Sequence, residues 1–191
     1  MLRFLHRALL IFLVIEITFV TVPPLLGQSG AISEYQVKAS FLYNFAKFVE
    51  WPPSTFPDAN TPIAVCILGD DPFGTTLDDL IRGKTIDSRT LVIRRIHKPE
   101  DSRGCQVLFI STSEDKHLSD IFASLKDSSV LTIGDNDEFA DRGGAIQFLL
   151  EDAKVHFSIN VDAIQRAHLT VSAKLLALAK IVHDGARPKG G

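Results

Sequence analysis

Three groups of residues in this 191-residue chain carry side chains able to do chemistry. The first is the only two cysteines, Cys66 and Cys105, able in principle to bond, to ligate a metal or to react as thiols. The second is a set of polar loops, each following an apolar run: Gly69-Asp70-Asp71-Pro72-Phe73-Gly74, Thr112-Ser113-Glu114 and Gly134-Asp135-Asn136-Asp137. The carboxylates of Asp70, Asp71 and Asp135 and the hydroxyl of Ser113 would suit a cation or a small polar molecule. The third is the six histidines, which do not recur at metal-ligand spacing. His156 lies in a predicted strand and His168 at a helix junction, both ordinary structural positions. The chain has no G-x-G-x-x-G, Walker lysine loop, H-E-x-x-H or G-x-S-x-G, and its serines and histidines form no signature from which a triad could be drawn. No catalytic residue, metal site or cofactor is therefore assigned.

What the cysteines do depends on where the chain resides. Arg3, His6 and Arg7 precede an apolar stretch from Ala8 to Val22, followed by Pro23-Pro24 and small residues to Ala31. A membrane-spanning helix needs roughly 20 apolar residues; this run is shorter and contains Glu16, so it reads as a cleaved secretory leader over residues 1–29, with the cut between 27 and 31. Export to an oxidising compartment favours a Cys66–Cys105 bond, worth about 4 kcal/mol on the chain-entropy account. Two buried thiols remain the other reading; two cysteines do not make a zinc ribbon or a disulfide-dense scaffold.

The elements that must position these groups are legible as apolar runs. Ser33 can cap a helix from Glu34 towards Val49, whose buried stripe is Val37, Phe41, Phe45 and Phe48, with Glu34 and Lys38 paired on the wet side. Trp51-Pro52-Pro53 ends it. Strands are predicted at 62–68, 90–95, 107–111, 130–133, 145–150 and 155–160, and helices at 75–81 and 116–125. Their alternation predicts an α/β fold: a single domain with a mostly parallel sheet in Rossmann-like βα units. Only four residues separate the last two strands, too few for a parallel crossover, so they form an antiparallel hairpin. Asn160 caps a helix running to His168, and a second helix is predicted through Val171, Leu175, Leu178 and Val182. The domain spans 32–183, with N- and C-terminal helices flanking the sheet and a flexible tail at 184–191.

In such a sheet the polar loops converge at the carboxyl edge, where ligands bind at a topological switch. The same residues also make ordinary helix caps and turns, Asp70 or Asp71 before Pro72 and Ser111 three residues before Glu114. Both readings stand at this point. The first helix crowds Tyr35, Phe41, Tyr43, Phe45 and Phe48 together ahead of Trp51, enough for one face to enter the core and another to meet a partner, unless the domain covers both.

The run from Glu34 to Pro52 (EYQVKASFLYNFAKFVEWP) resembles the opening signature of the YfiR-like family of bacterial exported proteins. Matching stretches follow in order: ILGDDPFG at 67–74, CQVLFIS at 105–111, VLTIGD at 130–135, the Gly143-Gly144 pair, and Ile159-Asn160 through Lys180. The resemblance implies a periplasmic regulator without enzymatic activity. The family's namesake represses an inner-membrane diguanylate cyclase by engaging its periplasmic sensor region, lowering cyclic-di-GMP output and biofilm formation, and is itself sequestered by an outer-membrane lipoprotein. The family is linked to redox sensitivity through disulfides; Cys66 and Cys105 match one pair, while a second pair is absent because no cysteine follows Cys105. His168 stands where many relatives have glycine. Apolar content and the family analogy together suggest a partner surface comprising Tyr35, Tyr43, Phe48 and Trp51 on the first helix, Ile146 and Phe148 on the hairpin, and Leu169. A homodimer through the aromatic helix face is compatible with this. The competing class is a periplasmic small-ligand sensor using Asp70, Asp71, Ser113 and Asp135.

Charge adds one exclusion. The chain carries 20 basic and 23 acidic residues, a formal charge of -3, and loss of the leader makes it one unit more negative. That balance gives no electrostatic reason to expect nucleic acid, whose phosphates call for a concentrated basic surface.

Overall fold

The computed structural model describes residues 33–185; the predicted leader and most of the predicted tail lie outside them. Helix α1 (Glu34–Phe48) starts at a complete capping box: the Ser33 hydroxyl accepts the Gln36 N–H while the Gln36 side chain accepts the Ser33 N–H. It ends where the chain turns extended into β1 (Val49–Glu50), ahead of the prolines. Strand β2 (Ile63–Leu68) is buried throughout. Then follow α2 (Thr75–Ile81), β3 (Thr85–Ile86), β4 (Arg89–Ile96) and β5 (Val107–Ile110). A 3₁₀ turn (Thr112–His117) leads into α3 (Leu118–Ser124), and β6 (Leu131–Gly134), β7 (Ile146–Glu151) and β8 (Lys154–Asn160) complete the body of the sheet.

The sheet has eight strands, the last at one edge being β10 (Lys180–Val182), in the order β10-β8-β7-β6-β5-β2-β4-β3. The pairs β4/β2, β2/β5, β5/β6 and β6/β7 are all parallel. β7 and β8 form the predicted antiparallel hairpin, with Leu150 opposite Val155, and turn on Asp152-Ala153, both in the left-handed region as a two-residue hairpin requires. The α/β class and mostly parallel sheet are as the sequence predicts. The small strand β3 is an addition, formed where Asp87-Ser88 make the same kind of turn.

Two cores lie against the two faces, and β5 feeds both by alternation. Val107 and Phe109 join the larger core with α1, α2 and the aromatic cluster Phe45, Phe148 and Phe157. Leu108 and Ile110 join the smaller one with α3, Phe139 and the cysteines. Cys66 and Cys105 are bonded, with Cα atoms 5.9 Å apart, stapling β2 to the residue that leads into β5.

The predicted second C-terminal helix is corrected. α4 (Val161–Arg166), capped by Asn160, closes at His168. The chain then pairs β9 (Thr170–Val171) antiparallel with β1, makes one helical turn, α5 (Ala173–Leu176), and ends as β10 parallel to β8. The apolar spacing of Val171, Leu175, Leu178 and Val182 is helical, but the free edge of β8 offers the terminal segment ladder hydrogen bonds that an isolated short helix cannot match. Asp184, assigned by sequence to the loose tail, is held by Asn160 and Arg166.

Candidate functional site

The strand order reverses between β2 and β5, so the loops after these strands flank the switch crevice. Here the crevice is closed by the loops themselves. The Asp70 N–H donates to the Ser113 hydroxyl at 3.0 Å, and the Ser111 N–H donates to the Leu68 carbonyl at 3.0 Å. Gly69 sits at φ +87°, and a methyl group on it would strike the Ser113 hydroxyl and the Glu114 side chain. Glycine permits both this backbone conformation and this contact.

Asp71 is also engaged. One oxygen accepts the Phe73 N–H at 2.8 Å, the other the Arg95 Nε–H at 2.7 Å, while Arg95 also pairs with Asp78. That guanidinium holds the Asp78 carboxyl below the usual range. Ser113 and Asp70 thus meet each other, and Asp71 acts as a turn and ion-pair residue, the cap reading of these loops.

The third loop reaches α1. Lys38, placed by sequence on the wet side, is only 4% exposed and its ammonium contacts Asp135 at 2.6 Å and Glu34 at 2.5 Å. The Tyr35 hydroxyl donates to the same Asp135 oxygen at 3.0 Å. Burial and then the Asp135 charge push the Tyr35 phenol up to about 12. This cluster ties the start of α1 to the end of β6 and forms the floor of a cleft of about 500 Å³ that also includes Thr112, Gln147 and Glu151. Nothing local in the sequence marks Lys38 as buried, because its partner lies 97 positions away. Among the described residues no group of three or more His, Cys, Asp or Glu side chains is arranged to hold a metal ion.

The suggested partner residues divide. Tyr35, Tyr43, Phe48 and Trp51 are half-buried along α1 and its end. Tyr43 lies under the Lys84 ammonium, 4.4 Å from the ring centre, and the Trp51 indole N–H donates to the Gln106 carbonyl at 3.2 Å. Ile146, Phe148 and Leu169 are buried in the larger core, which corrects their placement on an outer surface. Their side chains alternate inward: Phe148 packs on Phe45, and Leu169 follows the turn that ends α4. On the hairpin, sequence reasoning missed Leu150, 58% exposed at the hairpin end. It borders an open apolar cleft of about 540 Å³ with Val37, Phe41, Val155 and Ala153. Strand periodicity puts Leu150 on the same face as Ile146 and Phe148, so alternation alone gave no signal of its exposure.

These features define an α/β domain whose carboxyl-edge loops are tied to one another and to α1, with an open apolar cleft between α1 and the hairpin. The chain belongs to the YfiR/HmsC-like family, whose model matches residues 35–180. Among solved structures it is similar in fold to a conserved domain protein of Vibrio cholerae O1 biovar El Tor (11% identity, TM-score 0.50). It is also similar to an ABC domain from Streptococcus pneumoniae, solved in complex with L-Trp (8% identity, TM-score 0.53). Each match covers 78% of this chain, which spans 60% of the matched chain.

Proposed function

We propose that this protein is a periplasmic regulator that binds the periplasmic sensor region of an inner-membrane signalling protein, a diguanylate cyclase, and represses it. The observation that carries the reading is the family match over residues 35–180. The Cys66–Cys105 bond suits an oxidising compartment reached by a cleaved leader. The regulator works by preferring the inactive state of its target; equal affinity for both states would shift nothing. No enzymatic step is assigned to it.

The contact surface is the hairpin side of α1 with the hairpin end: Val37, Phe41, Leu150 and Val155 around the open cleft, continuing along the same helical stripe to Phe48, with Tyr43 on the other flank and Trp51 beyond the helix end as further candidates. An outer-membrane lipoprotein competing for this regulator, and self-association through the same face, belong to the same reading. The small-ligand alternative gains no support from Asp71, Ser113 and Asp135, whose side chains are bonded within the chain, and Asp70 is held there by its backbone N–H.

The test is binding of the purified leaderless protein to the periplasmic regions of the host's membrane diguanylate cyclases, measured calorimetrically. Wild type binds at least one, and Leu150→Asp loses that binding without a change in thermal midpoint. Unchanged binding by folded Leu150→Asp rejects the surface, and failure to bind any of the cyclases rejects the function.

A further inference from the structure

The last elements of the chain carry a conflict between local preference and position. The segment from Ala173 to Lys180, AKLLALAK, consists of the strongest helix formers, and Ala and Lys are depleted in strands. Yet α5 stops at Leu176, and Lys180–Val182 lie as a strand on β8. Docked there, the segment buries little: Leu178 is 74% and Ile181 45% exposed, and between Ala177 and Val182 only Ala179 packs against a core. The ladder is three residue pairs long, Lys180 to Ser158, Ile181 to Ile159 and Val182 to Asn160.

What fastens the strand lies just beyond it. The Asn160 side-chain amide donates to Asp184 at 2.8 Å, and Arg166 pairs with the same carboxylate. Asp162 accepts the Asp184 N–H at 2.9 Å and faces His183 Nδ1 at 3.2 Å. Beneath the strand, the side chains of Phe157, Ser158, Ile159 and Asn160 are buried and belong to the body of the domain. The segment is therefore held by hydrogen bonds and charge at one end, with little apolar burial of its own.

We propose that β10 is a strap that leaves β8 while the rest of the domain stays folded, with the Asn160–Asp184–Arg166 and Asp162–His183 contacts as its latch. Released, Ala177–Val182 continues α5, where Leu175, Leu178 and Val182 share one helical stripe. The outer edge of β8 is then bare, with the unpaired N–H and C=O groups that accept an added strand.

Hydrogen exchange read by mass spectrometry on the leaderless protein tests this. In wild type, the Lys180–Val182 amides exchange far faster than those of β5 and β6. Arg166→Gln lowers protection of β10 and the β8 edge by about tenfold, as expected for one lost charge-assisted pairing; Asp184→Ala, which also loses the Asn160 bond, lowers it further, and both leave β5 and β6 unchanged. Lys180→Thr, which favours the strand, raises protection of β10. A disulfide between the register partners in the Ser158→Cys, Lys180→Cys double variant abolishes the fast exchange. The proposal is overturned if β10 is as protected as β6, or if the latch variants change all strands together, since β10 would then open only with the whole domain.

Discussion

Removing Asp135 tests whether the cluster at the start of α1 is held by the pairing its geometry indicates. Asp135→Ala leaves the Lys38 ammonium, already withdrawn from water, with Glu34 as its one remaining carboxylate, and leaves the Tyr35 hydroxyl without its acceptor. Breaking one side of a buried pair costs about 3–5 kcal/mol. Glu34 keeps part of the pairing and its side chain is 37% exposed, so the ammonium can follow it outward; the expected cost is at the low end, about 3 kcal/mol. Lys38→Met leaves the buried Asp135 carboxylate with only the Tyr35 hydroxyl and by the same rule should cost about 3 kcal/mol or more. Exchanging both groups for apolar ones removes the desolvation penalty along with the pair, so Lys38→Met, Asp135→Ala should lose only about 1 kcal/mol, far less than the sum of the single changes. Urea unfolding followed by the fluorescence of Trp51, the only tryptophan, measures all three on one scale. A cost below about 1 kcal/mol for Asp135→Ala, or a double variant as unstable as the two single changes added, would refute the reasoning.

The remaining predictions concern single positions. His168 ends α4 in the left-handed region at φ +56°, with the Leu169 N–H returning to the Ile164 carbonyl, the helix ending that favours glycine. His168→Gly should therefore gain about 0.5–1 kcal/mol, a rise of about 2–3 °C in Tm by calorimetry, and a loss of stability would rule this account out. Gly144 abuts the Phe139 ring, so Gly144→Ala should cost about 3 kcal/mol by overpacking, and Phe139→Leu in that background should recover part of it; denaturant melts of the pair that show no recovery place the strain elsewhere. In Tyr43→Phe, Tyr35 is the one remaining tyrosine, and its absorbance at 295 nm should titrate near pH 12 while the protein is folded. The unfolded chain ionises at the ordinary value near 10, so Tyr35's contribution is intact below pH 10 and is lost between pH 10 and about 12. A folded-state midpoint at 10 would contradict the burial of this phenol.

The parts of the fold that a sequence can announce are those whose cause is local. The capping box at Ser33 and Gln36, the proline stop after Trp51, and the four-residue gap that forces β7 and β8 into a hairpin each lie within a short window, and each is found where the residues put it. The C-terminal segment misleads for the same reason: its spacing and composition are locally helical, and what overrides them is an edge of β8 created by residues some 20 positions earlier. Burial along one strand is intermediate. Alternation correctly groups Ile146 and Phe148, yet cannot say that this is the core side, because that depends on Phe41 and Phe45 arriving from α1. The Lys38–Asp135 pair is beyond reach altogether: an i,i+4 partner, Glu34, supplies a sufficient local explanation for the lysine and conceals the distant one.

The same distinction bears on recognition. The polar loops at the carboxyl edge look like a ligand site in sequence because carboxylates and hydroxyls follow three of the strands, but Asp71, Ser113 and Asp135 each use their side chain to fix one loop to another element, and Asp70 is held by its backbone N–H. Opening that edge for a ligand would break several such bonds at once, whereas Leu150 and the Val37–Phe41 side of α1 expose apolar surface without any rearrangement. Apolar surface that is already in water binds at no cost in internal contacts, and what it gains on contact is proportional to the area it removes from water. On the proposed reading the domain recognises its partner by the shape of α1 and the hairpin, and the tied edge keeps that shape constant. α1 is anchored through Lys38 and Tyr35 to Asp135, so, if α1 carries the proposed contact surface, loosening the anchor should weaken partner binding even though neither Lys38 nor Asp135 is part of that surface.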